Sequence, residues 1–187
     1  MGAGTIVVRE DPALESIVRR CYCDVEVTDR RGVVGRGYTN LKRIYGSPSE
    51  ITAVISALAS TVGGARAVAS SDAGSAPLAA LVAYERSLPA VFVRSLPKTY
   101  GLSYGAETET NDARIFGDDL AEGTLVHLVD DFVHSGATLA AAVATLRSVG
   151  LVVSTGSAIL GSPVATIADA IAALEIELTV FATTDRL

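Results

Sequence analysis

Two adjacent carboxylates, Asp130 and Asp131, follow a run of apolar residues and precede a loop of small and hydroxylated residues, 134–138. The loop leads directly into a helical pattern, so its backbone N–H groups can surround a phosphate, to which Ser135 and Thr138 add hydroxyl donors. Carboxylates alone would repel that phosphate. The arrangement therefore indicates a ligand with a phosphate at one end and hydroxyl groups or a bound Mg²⁺ at the other.

A second polar loop, residues 71–74, lies between the strand pattern at 67–70 and a helical pattern that begins at Pro77. Taken alone, such a turn is an ordinary strand-to-helix connection. A third polar segment contains Arg94 and Lys98, and Lys98 is one of only two lysines in the chain. Because ligands of parallel sheets bind at the carboxyl ends of strands, all three segments are candidates for one site.

Strand and helix patterns alternate along the chain, which is typical of an α/β fold with a parallel-rich central sheet and helices on both faces. The apolar runs predict strands at 5–9, 67–70, 90–94, 124–129, 151–158 and 174–181. The helical patterns predict helices at 12–21, 48–61, 77–86, 138–148 and 165–173.

The ends and connections of these elements carry further signals. Asp11 before Pro12 predicts the start of the first helix, and Ser47 with Glu50 predicts a capping box at the start of the second. The other segments have their own expected forms: a hairpin or extended arm at 24–46 and a long loop at 99–123. We expect a single domain, in which residues 1–46 form a small N-terminal hood and residues 47–187 form the α/β core.

The stretch 126–139 resembles the 5-phosphoribosyl-1-pyrophosphate (PRPP) motif of type I phosphoribosyltransferases, an apolar strand followed by Asp-Asp and a Thr/Ser-Gly-x-Thr loop. The resemblance implies that Asp130 and Asp131 hold the ribose hydroxyls. The residues that it implies for the 5-phosphate are His134, Ser135, Gly136, Ala137 and Thr138. A receiver-type domain is the alternative. Receivers carry their acid pair near the N-terminus and a lysine on a later strand, whereas no lysine follows Lys98.

Two upstream segments resemble the same family. Residues 68–79 are similar to its diphosphate loop, and the implied contacts are Ser71, Asp72, Ala73 and Gly74. Residues 93–101 are similar to the Arg-Lys-x-x-Lys-x-His-Gly pattern of orotate phosphoribosyltransferases, and Arg94 and Lys98 match it. Ser95 and Tyr100 depart from the pattern. Arg94, Lys98 and Tyr100 are nevertheless the PRPP contacts that this segment implies.

The acceptor base is less clearly indicated. Residues 38–43 are similar to the Tyr-x-Asp-Leu-Arg segment of orotate enzymes, and the implied base contacts are Arg36 and Tyr38. The run that contains Val33 lacks the lysine of those enzymes, for which Arg36 can substitute as a cation. Residues 100–105 look instead like the Tyr-x-Leu-x-Tyr-Gly run of adenine phosphoribosyltransferases. Orotate is therefore the better-supported acceptor and adenine the alternative.

The resemblance implies transfer of the 5-phosphoribosyl group from PRPP to a nitrogenous base, giving a nucleoside 5′-monophosphate and diphosphate. Lys98, Arg94 and Asp131 are the implied catalytic residues. Mg²⁺ is the implied cofactor, held through PRPP with Asp130 and Asp131 as candidate ligands. We also expect a lid at 102–117 and a homodimer with shared active sites. Another acceptor, or a catalytically weak PRPP-sensing regulator, stays open.

Composition limits the other partners. The 187 residues include 15 basic and 21 acidic side chains, and this net charge of −6 argues against nucleic acid or an anionic membrane as partner. No apolar stretch reaches the ~20 residues of a membrane span, and the N-terminus lacks a signal-peptide pattern. Cys21 and Cys23 fit neither a zinc site nor a redox pair. We therefore expect a soluble cytoplasmic protein whose partners are PRPP and a small base.

Overall fold

The structure, a computed structural model, describes residues 3–28, 32, 34–94, 114–117 and 120–187. In chain order its strands are β1 (Thr5–Val8), β2 (Tyr22–Thr28), β3 (Val34–Thr39), β4 (Ala67–Ser70), β5 (Ala90–Val93), β6 (Ile115–Gly117), β7 (Leu125–Val133), β8 (Val152–Gly161) and β9 (Glu177–Thr183). Its helices are α1 (Pro12–Cys21), α2 (Pro48–Ala59), α3 (Ala76–Arg86), α4 (Ala137–Ser148) and α5 (Val164–Leu174), with a 3₁₀ helix at Leu41–Gly46.

Seven strands form one sheet in the order β1-β9-β8-β7-β4-β5-β6, and every neighbouring pair is parallel except β5 and β6. Neighbouring residues of β7 face opposite sides of this sheet. Leu128 belongs to the core cluster that contains residues of α4 and α5, whereas Val129 belongs to the cluster that contains residues of α1, α2 and α3. The predicted parallel-rich sheet with helices on both faces is thus confirmed.

Residues before the second helix contribute to two layers. β2 and β3 pair as an antiparallel hairpin, as the pattern at 24–46 indicates. β1, by contrast, pairs in parallel with β9 at the edge of the main sheet. α1 leads directly into β2, and the 3₁₀ helix follows β3, so these two elements connect the hairpin to the rest of the chain.

Of the two helix caps predicted from the sequence, the structure confirms the one at Asp11 and contradicts the one at Ser47. The Asp11 carboxylate accepts hydrogen bonds from the N–H groups of Ala13 and Leu14, at 3.0 and 3.1 Å, as predicted. The capping box predicted for Ser47 and Glu50 was wrong, because the Ser47 side chain makes no capping hydrogen bond. Glu50 instead accepts hydrogen bonds from the guanidinium of Arg20, at 2.9 and 2.5 Å. Glu50 therefore pairs with a charged residue of α1 and not with the start of its own helix.

Two strands differ from the prediction near the candidate site. β7 does not end at Val129 but continues through both aspartates to Val133, because its pairing with β8 extends from Leu125 to Val133. β6 lies inside the segment predicted as a loop, and it pairs in antiparallel register with β5. Within the described part of the chain, no helix has both the length and the apolar character needed to cross a membrane.

Candidate active site

The loop between β7 and α4 forms the centre of the site. It encloses a small cavity of about 60 Å³, lined by Asp130 and residues 132–139. Gly136 precedes the first turn of α4 with φ +79°, and a Cβ added there would lie 2.8 Å from the Cβ of Ala170. A side chain at this position would therefore clash with α5. The loop is held close to α5, with the N-terminus of α4 beside the cavity.

The two aspartates differ in burial. Asp130 is 4% exposed, and its carboxylate accepts a hydrogen bond of 2.8 Å from the N–H of Asp131. Burial, together with the charges of Asp131 and Asp72, raises the pKa of Asp130 to about 8, although a hydrogen bond from Ser71 opposes this shift. The half-buried Asp131 carboxylate accepts a 2.7 Å hydrogen bond from the N–H of Phe132. Hydroxyl donors or a cation from a ligand would stabilise both carboxylates in their charged forms.

Tyr45 is a residue near this pair that was not predicted from the sequence. It lies in the 3₁₀ helix, where burial and the charge of Asp131 raise the pKa of its phenol to about 12. The phenol therefore stays neutral at physiological pH. The segment that resembles orotate enzymes, residues 38–43, ends two residues before Tyr45, so it did not include this tyrosine.

In the loop between β4 and α3, backbone N–H groups donate hydrogen bonds to side chains of the same loop. The Asp72 carboxylate accepts from the N–H groups of Gly74 and Ser75, at 2.7 and 3.0 Å. The Ser75 hydroxyl accepts from the N–H groups of Ser71 and Asp72, at 3.1 and 3.3 Å. For these N–H groups to bind a diphosphate, the Asp72 and Ser75 side chains must turn away. Ala73, the remaining predicted contact, is exposed on the same loop.

A cavity of about 280 Å³ joins this loop to the other predicted PRPP contacts. It is lined by Ser71 and Asp72, by Thr138, and by Arg94 and Arg114. The guanidinium of Arg94 lies 4.3 Å from the centre of the Phe116 ring, and the backbone N–H of Arg94 donates to the carbonyl of Arg114 at 2.9 Å. Two arginines and the β4–α3 loop therefore line the same cavity.

Arg114 was not predicted as a site residue, because the strand that follows it, β6, was predicted as part of a loop. Lys98, Tyr100 and Ser95 lie outside the described residues, as do residues 102–113 of the predicted lid and Val33.

A larger cavity, of about 650 Å³, opens beside the β7–α4 loop. The residues that line it are Arg19, Tyr22, Arg36, Gly37, Tyr38, Thr39, Phe132, His134, Ser162, Thr184 and Leu187. Arg36 and Tyr38, the predicted base contacts, are thus brought together with His134. We refer to this space as the hairpin cavity, because β3 provides one of its walls.

Both arginines of the hairpin cavity already have partners. Arg36 forms a two-pronged pair with Asp24, with nitrogen–oxygen distances of 2.6 and 2.9 Å. The pair lowers the pKa of Asp24, mainly through the hydrogen bond from Arg36. Arg19 donates to the backbone carbonyls of Arg186, at 2.6 Å, and Leu187. Arg19 was not predicted, because a basic residue in the last turn of a helix is usually solvated or interacts with the helix dipole.

The two histidines have different surroundings. His127 is fully buried in β7, and it hydrogen-bonds the hydroxyls of Thr155 and Ser157, each at 2.9 Å. Burial lowers its pKa to about 4. His134 is exposed, and its Nδ1 lies 3.2 Å from the hydroxyl of Ser162. Only His134 therefore belongs to the site.

No family model matches the chain. It is 30% identical over 146 residues to the adenine phosphoribosyltransferase of Methylobacterium sp. (strain 4-46), an alignment that covers 75% of this chain and 79% of that protein. Among solved structures, it is similar to orotate phosphoribosyltransferase from Aeropyrum pernix, with a TM-score of 0.72, 22% identity and coverage of 92% and 95% of the two chains. It is also similar to adenine phosphoribosyl transferase from Trypanosoma brucei, with a TM-score of 0.71, 15% identity and coverage of 97% and 84%.

Proposed function

The chain belongs to the type I phosphoribosyltransferase family, and from this premise we propose that it transfers the phosphoribosyl group to orotate. The general activity is that of the family, a pentosyltransferase that uses PRPP and a base. Because the chain belongs to this family, it is not a receiver-type domain. The similar proteins include both orotate and adenine enzymes, so the acceptor has to be assigned from the residues of this chain.

We assign the PRPP contacts to the elements that surround the β7–α4 loop. Asp130 and Asp131 accept hydrogen bonds from the ribose hydroxyls, and residues 134–138 hold the 5-phosphate with backbone N–H groups and hydroxyls. The exposed faces of Ser135 and Thr138 support this assignment, as does the small cavity behind them. The carboxylate of Asp131 also stabilises the positive charge that develops on the ribose.

The diphosphate is assigned to the side of the site that contains residues 71–74 and Arg94. When the C1–O bond of PRPP breaks, negative charge builds on the departing diphosphate, and cations beside it stabilise that charge. Arg94 lines the same cavity as Ser71 and Asp72, which supports its role. Lys98 and Tyr100 are assigned the same task from the sequence alone.

The residues present fit Mg²⁺ held together with PRPP. This ion commonly takes one or two carboxylates together with substrate phosphates, and Asp130 and Asp131 offer adjacent carboxylates. Among the described residues, no group of three or more His, Cys, Asp or Glu side chains is placed to hold a metal without a substrate. When bound, Mg²⁺ neutralises charge on the diphosphate.

Orotate is favoured as acceptor by one observation: two arginines, Arg19 and Arg36, line the hairpin cavity. Orotate carries a carboxylate, which an arginine binds in two-pronged geometry. Arg36 already holds the Asp24 carboxylate in that way. Because the side chains of Arg36 and Asp24 are 76% and 59% exposed, their pair contributes little, and an acceptor carboxylate can replace Asp24.

Adenine is the second candidate. The relative at 30% identity is an adenine phosphoribosyltransferase. The rings of Tyr22, Tyr38 and Phe132 line the same cavity, where they can stack on a neutral purine. An adenine acceptor would not need the charge of Arg36.

Measuring diphosphate release with Mg²⁺, PRPP and either base tests the proposal. We expect release with orotate, and in Arg36→Gln a KM for orotate that is higher by about tenfold or more. Arg86→Gln is the matched control, because Arg86 lies in α3 and does not line the hairpin cavity. Release with adenine alone, or an orotate KM unaffected by Arg36→Gln, would overturn the choice of acceptor.

We also propose that two copies of the chain associate and that Lys98 of each acts in the site of the other. The resemblance of residues 93–101 to the orotate enzymes supports this arrangement. A cytoplasmic setting remains a prediction from composition.

A further inference from the structure

The side chain of His134 lies at the junction of two cavities. The residue lines both the small cavity of the β7–α4 loop and the hairpin cavity. Its ring centre is 5.7 Å from that of Phe132, and its Nδ1 is 3.2 Å from the hydroxyl of Ser162. Phe132 and Ser162 both line the hairpin cavity, so the imidazole is held on the acceptor side of the loop.

The reaction of the family requires a proton to leave the acceptor. The C1–O bond breaks with its electron pair going to diphosphate, and the acceptor nitrogen forms the new C1–N bond. In orotate and in adenine, that nitrogen carries a hydrogen, which must pass to a base as the bond forms. A base positioned at the acceptor side of the ribose therefore favours transfer.

Few side chains on the wall of the hairpin cavity can accept that proton. Arg19 and Arg36 are permanent cations with no acceptor atom, and Tyr22 and Tyr38 are phenols. Of the described residues that line the hairpin cavity, His134 alone has a side-chain nitrogen with a lone pair that can accept a proton.

We propose that His134 is the catalytic residue that accepts the proton of the acceptor base, a role distinct from binding the 5-phosphate. With Nδ1–H donating to Ser162, the lone pair of Nε2 is free to face the acceptor. Ser162 is 4% exposed, so it holds the ring from a fixed position and is itself a positioning residue. This inference rests on the proposed transfer to a base, but not on whether that base is orotate or adenine.

The test compares the wild-type chain with His134→Asn, which keeps a hydrogen-bonding group near Ser162 but lacks a basic nitrogen. We expect kcat to fall by about 10²–10⁴-fold, with the Kd for PRPP, measured by calorimetry, unchanged. Wild-type kcat should decrease on the acid side as the imidazole becomes protonated, and this decrease should be absent in the variant. Added imidazole should restore part of the lost rate.

Ser162→Ala provides a second, milder variant. It should lower kcat less than His134→Asn and keep the acid-side decrease, because the base is present but less well held.

Three results would count against the inference. A raised Kd for PRPP with unchanged kcat in His134→Asn would make His134 a phosphate contact. Unchanged kcat and an unchanged pH profile would exclude a catalytic role while leaving the proposed function intact. No diphosphate release by the wild-type chain with any base would contradict the proposed function, and the inference with it.

Discussion

Asp130 shows how a binding site reduces the stability of the free protein. Asp130 is 4% exposed, and the charges of Asp131 and Asp72 act on its carboxylate. Burial and these charges raise its pKa to about 8, from an ordinary value of 3.8. The folded state therefore retains a proton that the unfolded chain loses, so the folded state becomes less favourable as pH rises through this interval. A ligand with hydroxyl donors would reverse the penalty.

We predict that Asp130→Asn makes the free protein more stable than the wild type at pH 8, by more than about 1 kcal/mol, because asparagine cannot ionise. The difference should decrease at pH 5, where Asp130 is protonated. Chemical denaturation at both pH values measures it. The exposed Asp185 provides the matched control, and Asp185→Asn should show no such pH-dependent gain. Equal stability of Asp130→Asn and wild type at pH 8 would contradict the assignment of the penalty to Asp130.

At the scale of elements, the β7–α4 loop depends on a single close contact. Gly136 and Gly123 have nearly the same positive φ, +79° and +80°. They differ in what a side chain would meet. At Gly136 a Cβ would lie 2.8 Å from Ala170, whereas at Gly123 nothing lies within 4 Å. The two positions therefore separate backbone strain from the packing of the loop on α5.

We predict that both Gly136→Ala and Gly123→Ala lose about 1–2 kcal/mol of unfolding free energy through backbone strain. Gly136→Ala should lose more, and it alone should weaken PRPP binding, by about tenfold or more, because the loop must move away from α5. Denaturation and calorimetry measure these quantities. If Gly123→Ala weakened PRPP binding equally, the loss could not come from displacement of this loop.

The same elements show how far sequence alone leads. Alternating apolar runs predicted the parallel sheet, because strands buried on both faces must be apolar along their whole length. The predicted end of β7 was wrong: polarity changes at Asp130, but backbone pairing with β8 continues to Val133. The capping box failed because Arg20, thirty residues away in sequence, binds Glu50. Contacts between distant segments override local signals.

The site also contains residues that the sequence predicted and residues that it did not. Residues 130–138 are contiguous, so their order alone predicted that the two aspartates and the loop 134–138 lie together at the end of one strand. The hairpin cavity combines α1, β3 and the residues after β8 and β9, and no local pattern predicts that Arg19 and Ser162 face the same space. The orientation of the His134 ring depends on Ser162 in the same way. Arg36 and Tyr38 were predicted only through resemblance.

At the scale of the whole molecule, the proposed sharing of sites between two copies can be tested without a structure of the assembly. If Lys98 acts in the site of the partner, each site consists of the aspartate pair from one copy and Lys98 from the other. Lys98→Ala in one copy then disables the site that contains the aspartate pair of the other copy. Asp130→Asn with Asp131→Asn disables the site of its own copy. The two inactive variants therefore damage the same site when they are combined in one dimer.

We predict that a dimer of one Lys98→Ala copy and one copy with both aspartates replaced recovers about half of the wild-type activity per dimer. One site of this dimer contains both defects, and the other contains none. Purification through a different affinity tag on each copy yields the mixed dimer, and diphosphate release measures its activity. Dimers of either variant alone should be inactive. If Lys98 served its own copy, both sites of the mixed dimer would carry one defect, and the dimer would be inactive. A single copy per particle by light scattering would exclude the shared site altogether.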